Sequence, residues 1–257
     1  MNHLKRLQRG FLNTVGFWKE VAAAGGGDPA FVGSDDAVST HIGSAPTWSL
    51  TVGAGSGTAR GLVFVCMTEA ASQRTHNSCT YNAIGLTKIG EVGADGGTAA
   101  TISMWWMPEA NIPSAGTYTL ALSISGTNRG HAAVLVQWDE VNQSTPYGTL
   151  QTTSATGVGG LPATSSTTQS GNDNDGCVAA CAAADAAGTY GAGDISDGGS
   201  NLNIVSENSP RNSPGGTLRV AHDSIPDASE AYAWSVAYGA ESTIDTVLSA
   251  SINLNSV

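Results

Sequence analysis

The sequence predicts an all-β protein: a jelly-roll-like two-layer β-sandwich preceded by an extended N-terminal arm. Three observations predict it. Short apolar runs recur with period-2 alternation, as where Trp48, Leu50 and Val52 alternate with Thr47, Ser49 and Thr51. Gly, Pro and Asn punctuate these runs at close intervals. Only 12% of the 257 residues are charged, about half the share in an average soluble domain. Gly, Ala, Ser, Thr and Asn fill the difference, and Gly, Ser, Thr and Asn serve turns and short strands better than long helices.

Residues 1–27 read as a separate unit, an attachment arm with a glycine linker. Leu4, Leu7 and Phe11 are spaced for one or two helical turns, and Gly10 and Gly16 weaken any longer helix. The unit ends in Ala22-Ala23-Ala24-Gly25-Gly26-Gly27, a linker composition. A solvated tail seldom carries Phe11, Phe17 and Trp18 together, so the arm is expected to dock on a partner. Its candidate partner-binding residues are Leu4, Lys5, Arg6, Leu7, Arg9, Phe11, Phe17 and Trp18.

Residues 28–257 read as the sandwich domain. Strands are expected at 47–52, 62–67, 79–82, 86–90, 101–107, 117–125 and 132–138. The second half adds 177–184, 201–206, 217–221, 232–238 and 247–253. The Ala-rich run from Cys177 to Ala184 would ordinarily favour helix, and it is read as a strand of small residues. Residues 154–176, rich in Ser, Thr, Gly and Asn, read as loop with at most one strand. Val63, Val65, Tyr81, Ile102, Leu120, Leu122, Val134, Val136 and Trp234 are the expected core. No repeat at a fixed period stands out.

Charge sorts the chain into two parts. The net charge is −11, yet residues 1–19 carry Lys5, Arg6, Arg9 and Lys19 and no acid. An acidic body repels nucleic acid, while the basic start suits an acidic protein partner. No stretch reaches the roughly 18 apolar residues of a membrane span. Gln8, Arg9, Asn13 and Thr14 interrupt any signal-peptide core. A protein made in the bacterial cytoplasm that reaches its place by assembly is expected.

The search for chemistry returns little. No serine lies in a GxSxG elbow, no lysine follows a phosphate-binding glycine loop, and the five histidines lack HExxH or HxH spacing. Asn172-Asp173-Asn174-Asp175-Gly176 resembles a calcium loop only superficially. Aligning Gly176 with the loop's sixth position puts Gly171 and Ala182 where acidic ligands belong. Glu109, Asp139 and Glu140 would serve sugar hydrolysis only if the fold paired them. No catalytic residue, cofactor or metal is expected. Cys66, Cys79, Cys177 and Cys181 form no CxxC, and buried thiols are the expectation, with Cys177 and Cys181 on one strand face. Trp105 and Trp106 are adjacent, so in a strand one faces the core and the other faces away, toward an interface or a sugar.

One stretch resembles a family. Residues 61–67, then Cys79-Thr80-Tyr81-Asn82 and Leu86-Thr87-Lys88-Ile89-Gly90, are similar to the apolar strand and "V-T-Y-N-G…L-T" hairpin of tailed-bacteriophage structural β-domains. The aromatic strand ending at Pro108, the Gly-led strand from Gly116, and Val141-Asn142-Gln143-Ser144-Thr145-Pro146 as "V-x-Q-x-x-P" continue the likeness over roughly 45–148. The sequence departs at Cys79, where Val is usual, and at Ala83, where Gly is usual. The opening from Lys5 to Gly27 is also similar to that of small phage virion proteins. The resemblance implies a non-enzymatic virion component of the head-decoration, cement, fibre or tail-accessory kind. Its implied partners are capsid, portal or tail subunits and further copies of itself, with a trimer the favoured form. A carbohydrate or host-surface binding module is the alternative, with a glycan as ligand.

Overall fold

The computed structural model describes residues 27–39, 43–159, 163–169, 175–184, 194–197, 200–201, 203–208, 216–224, 230–236 and 243–257. They form eighteen strands and one 3-10 turn, Glu109–Asn111. The first nine strands are β1 (Ala30–Ser39), β2 (Thr47–Val52), β3 (Gly61–Ala70), β4 (His76–Tyr81), β5 (Ile84–Gly85), β6 (Thr87–Asp95), β7 (Ala99–Pro108), β8 (Gly116–Ile124) and β9 (Gly130–Asp139). The next nine are β10 (Gln151–Gly159), β11 (Ala163–Gln169), β12 (Gly176–Ala184), β13 (Asp194–Asp197), β14 (Ser200–Asn201), β15 (Asn203–Asn208), β16 (Gly216–Ser224), β17 (Glu230–Val236) and β18 (Thr243–Leu254).

The all-β expectation holds, and all the strand pairs are antiparallel, but the strands make more than one sandwich. Sheet order β1-β9-β3-β7-β6 is joined by β2-β8-β4-β5, and β10-β18-β12-β16-β15 by β11-β17-β13-β14. Adding nine to each label of the first pair of sheets reproduces the second pair. The described residues therefore form a tandem of two nine-stranded units with one topology. The expectation of a single two-layer sandwich, without a repeat, is corrected accordingly.

Alternation explains the layering. In β3, Leu62, Phe64 and Cys66 face β2, β4 and β8, where they meet Leu50, Tyr81, Leu120 and Leu122. Val63, Val65 and Met67 face the other way and join Ile102, Val134 and Val136 against Val178, Ala180, Leu218, Leu248 and Ile252 of the second unit. The two five-stranded sheets thus pack face to face at the centre. Being covered on both faces, β3 and β12 are buried along their whole length, as their near-continuous runs of apolar or small residues require. Eight of the nine expected core residues are buried. For the ninth, Trp234 in β17, side-chain burial lies outside the described residues.

The seam has reciprocal contacts. Val63 pairs with Trp106 on β7, and Val178 pairs with His222 on β16. Phe31 pairs with Trp138, and Tyr147 bridges to Leu254. Phe31 stacks on His222 at 3.7 Å and 10°, and Tyr147 sits edge-on to Trp106 at 6.0 Å. Each unit's leading aromatic ring therefore touches the equivalent ring position of the other unit. Trp105 and Trp106 do point to opposite faces, but neither is exposed: one lies in the first sandwich's core and the other in the seam.

The β4–β5 turn is tighter than the sequence reading placed it. Its central residues are Asn82 and Ala83, with φ of 52° and 60°, and Tyr81 pairs with Ile84. Two positive φ values make a type I′ hairpin, which asparagine tolerates and alanine resists. Ala83→Gly is therefore expected to stabilise the protein by about 0.5–1 kcal/mol, after the greater freedom of glycine in the unfolded chain is offset. A thermal melt should show a midpoint higher by a few degrees; a lower midpoint would mean that Ala83 is not strained.

Candidate functional site

The eight predicted partner-binding residues, Leu4, Lys5, Arg6, Leu7, Arg9, Phe11, Phe17 and Trp18, lie outside the described residues. The point where the arm joins the body is described. A Cβ on Gly27 would lie 3.0 Å from Cγ of Glu140, Pro29 is buried against Gly176 of the second unit, and Phe31 stacks on His222. The root of the arm is thus held by both units at one rim of the molecule.

That rim gathers the three carboxylates considered for sugar chemistry. The β2–β3 loop, residues 53–60, is rich in glycine and presents bare backbone N–H groups that need acceptors. Asp139, at the end of β9 and 2% exposed, accepts from Ser56 N at 2.8 Å, from Ser56 Oγ at 3.2 Å and from Gly57 N. Glu140 accepts from Thr58 N at 3.1 Å and Thr58 Oγ1 at 3.2 Å. Glu109 accepts from Arg60 Nε at 2.9 Å, pairs with Arg60 Nη2 at 2.8 Å and takes the Arg60 N–H as well. Gln137 holds the loop's other end, accepting from Gly53 N at 2.9 Å.

The arrangement folds a loop. Glycosidic chemistry needs one carboxyl group free to give a proton and a second facing the sugar across an open gap. Here the fold brings the three groups to one rim, yet each is turned onto the same loop's amides and onto Arg60. A cleft beside the start of the loop, lined by Ser34, Asp35, Thr51, Gly53 and Gln137 among others, has none of the three in its wall. Among the described residues, no three His, Cys, Asp or Glu side chains gather as metal ligands.

Gln143 completes the rim. Its Nε2 donates to the carbonyls of Val141, Ala59 and Arg60 at 2.8, 3.1 and 3.1 Å, and its Oε1 accepts from Glu109 N at 2.9 Å. The glutamine of the "V-x-Q-x-x-P" stretch is thus a tie between three segments of chain. Asn142 Oδ1 accepts from Ser144 N and Thr145 N, which turns the chain before Pro146.

A second polar cluster was not anticipated. His76, fully buried at the start of β4, sits between Thr68 Oγ1 at 2.8 Å on Nε2 and Ser103 Oγ at 2.6 Å on Nδ1. Trp105 Nε1 donates to Ser103 Oγ at 2.7 Å, so the Ser103 hydroxyl proton is available to Nδ1. Nε2 then carries the ring proton and donates to Thr68. Burial, with a contribution from the Lys88 ammonium, pushes the imidazole pKa down to about 3, so the ring is neutral near pH 7. Lys88 Nζ donates to the His76 carbonyl at 2.7 Å and pairs with Glu91 at 2.8 Å. The signal in the sequence was Thr68 and Ser103 at inward positions of otherwise apolar strands. His131 is fully buried edge-on to Trp48.

No protein-family model and no curated protein matches the chain.

Proposed function

We propose that this protein is a non-enzymatic structural subunit of a tailed-bacteriophage particle, displayed on the capsid or tail as a decoration, cement or fibre-type subunit and attached through residues 1–27. One observation carries the reading. Residues that match the phage pattern over 45–148 serve the shape of the domain. Asn82 enters a type I′ turn, Pro108 ends β7, Gly116 opens β8, and Gln143 ties three carbonyls. The carboxylates of the rim serve shape as well, which is what a display scaffold needs and a hydrolase does not.

We further read each unit as a jelly roll. The order β1-β9-β3-β7 opposite β2-β8-β4-β5 is that of two interleaved Greek keys, with β6 as an added edge strand. The acidic body faces outward, and the basic, aromatic arm carries the attachment. The partners are capsid, portal or tail subunits, and the protein is a homo-oligomer, with a trimer the favoured form.

Deleting residues 1–26 tests the attachment. The shortened protein is expected to fold, because the described core draws on none of those residues, and to fail to bind particles that lack the protein. Phe17→Ala with Trp18→Ala should weaken binding strongly, since burying two such rings contributes several kcal/mol before ordering costs. Lys5→Ala with Arg6→Ala should act mainly by reducing the salt dependence of binding. Full incorporation of the shortened protein would place the attachment on the sandwiches instead.

A further inference from the structure

We propose that Cys66 and Cys79 are an oxidisable pair that closes to a disulfide between the two sheets of the first sandwich. The inference is independent of the particle reading. Cys66 lies on β3 and Cys79 on β4, in opposite layers of one core. Contacts on both sides hold these strands face to face. Phe64 meets Tyr81 with ring centroids 4.9 Å apart, and Thr68 Oγ1 meets His76 Nε2 at 2.8 Å. Cys66 and Cys79 occupy the step between those two contacts, and both side chains are buried in that one core.

The other cysteines are excluded by position. All four side chains carry thiols rather than disulfides. Cys177 and Cys181 share one strand, four residues and therefore about 13 Å apart, beyond the reach of a disulfide. Their face of β12 is opposite to that of Val178, Ala180 and Ala182, which pack toward the first unit.

The reaction balances with a small-molecule disulfide as oxidant. One cysteine thiolate attacks it, forming a mixed disulfide and releasing one small thiol. The second cysteine displaces the other small thiol, leaving the Cys66–Cys79 bond. Two thiol protons and two electrons pass from the protein to the oxidant. Burial and the neighbouring Cys79 raise the Cys66 pKa well above its ordinary value. The closed native state therefore reacts slowly, and exchange proceeds through opening of β4, which pairs on one side only with the two-residue β5.

The test uses the full chain, purified under reducing conditions and incubated with oxidised glutathione in mild urea. Remaining thiols are then trapped with iodoacetamide. Arg74 lies between the two cysteines, so trypsin separates them unless a disulfide joins their peptides. The expected product is one cross-linked pair containing Cys66 and Cys79, two hydrogens lighter than its parts, with Cys177 and Cys181 alkylated. Its melting midpoint should rise by about 5 °C and fall back on reduction. Cys79→Ala should give neither the cross-link nor the rise. Alkylation of all four cysteines, a lasting glutathione adduct at Cys66 or Cys79, or a cross-link to Cys177 or Cys181 would overturn the proposal. So would an equal rise in Cys79→Ala.

Discussion

Lowering the pH from 7 toward 3 is expected to remove on the order of 5 kcal/mol of stability through His76 alone. The folded-state pKa is about 3, against about 6.5 in the unfolded chain. Above pH 6.5 both states are neutral and the histidine has no effect on the pH dependence. As pH falls through 6.5 the unfolded chain takes up a proton that the folded chain refuses, so stability drops by up to about 1.4 kcal/mol per pH unit. The loss ends near pH 3, where the folded state is protonated as well. His222, pushed down to about 4 by burial against Phe31 and Trp138, acts in the same direction. Urea unfolding at a series of pH values should show a steeper decline for the native sequence than for His76→Gln. The variant loses some stability at pH 7 but keeps a donor and an acceptor for Thr68 and Ser103. Equal slopes would remove His76 as the cause, because every other titrating group is common to both proteins.

Truncating the seam should be nearly as costly. Trp106→Ala is expected to destabilise the protein by about 3–5 kcal/mol. The ring is 4% exposed, sits edge-on to Tyr147 of the second unit, and lies so close to Gly61 that a Cβ there would stand 1.9 Å from its Cη2. Gly61→Ala should therefore also destabilise, by about 1–3 kcal/mol, because the buried indole has little room to move. The two costs are coupled. With the indole gone, the added methyl enters vacant space, and the double variant should be more stable than the two single losses imply. Strict additivity in denaturant unfolding would show that ring and glycine are not in contact.

The strands legible in the sequence are those whose side chains alone reveal a burial pattern. The run 47–52 alternates, and the structure makes it β2 with every second residue buried. The Ala-rich run 177–184 becomes β12 despite the helix preference of alanine, because both of its faces are covered. β1, β10 and β11 are among those that left no such trace. β1 carries Asp35, Asp36 and a bulge between Phe31 and Gly33 at a sheet edge. Residues 152–156 of β10 are all exposed, and only the backbone ladder to β18 makes them a strand. β11 buries Thr167 and Gln169, which bond to Ser251 rather than pack as apolar side chains.

The duplication was hidden for a related reason. Gly61, Val63 and Cys66 of β3 correspond to Gly176, Val178 and Cys181 of β12, while Leu62, Phe64 and Met67 correspond to Cys177, Ala179 and Ala182. Repeated backbone geometry needs the same pattern of inward positions, not the same side chains, so volume differs where topology does not. At the rim, the types of Glu109, Asp139 and Glu140 were legible. Their role was not, because it depends on which loop amides the fold brings to them.

The central claim is that this protein belongs to a particle. Quantitative mass spectrometry of phage particles purified by density gradient tests it most directly. The chain should be present at a constant ratio to the main shell protein across gradient fractions and preparations, and should remain so after washes that remove loosely held proteins. Its absence from particles, or a ratio that varies with free protein in the lysate, would contradict the account.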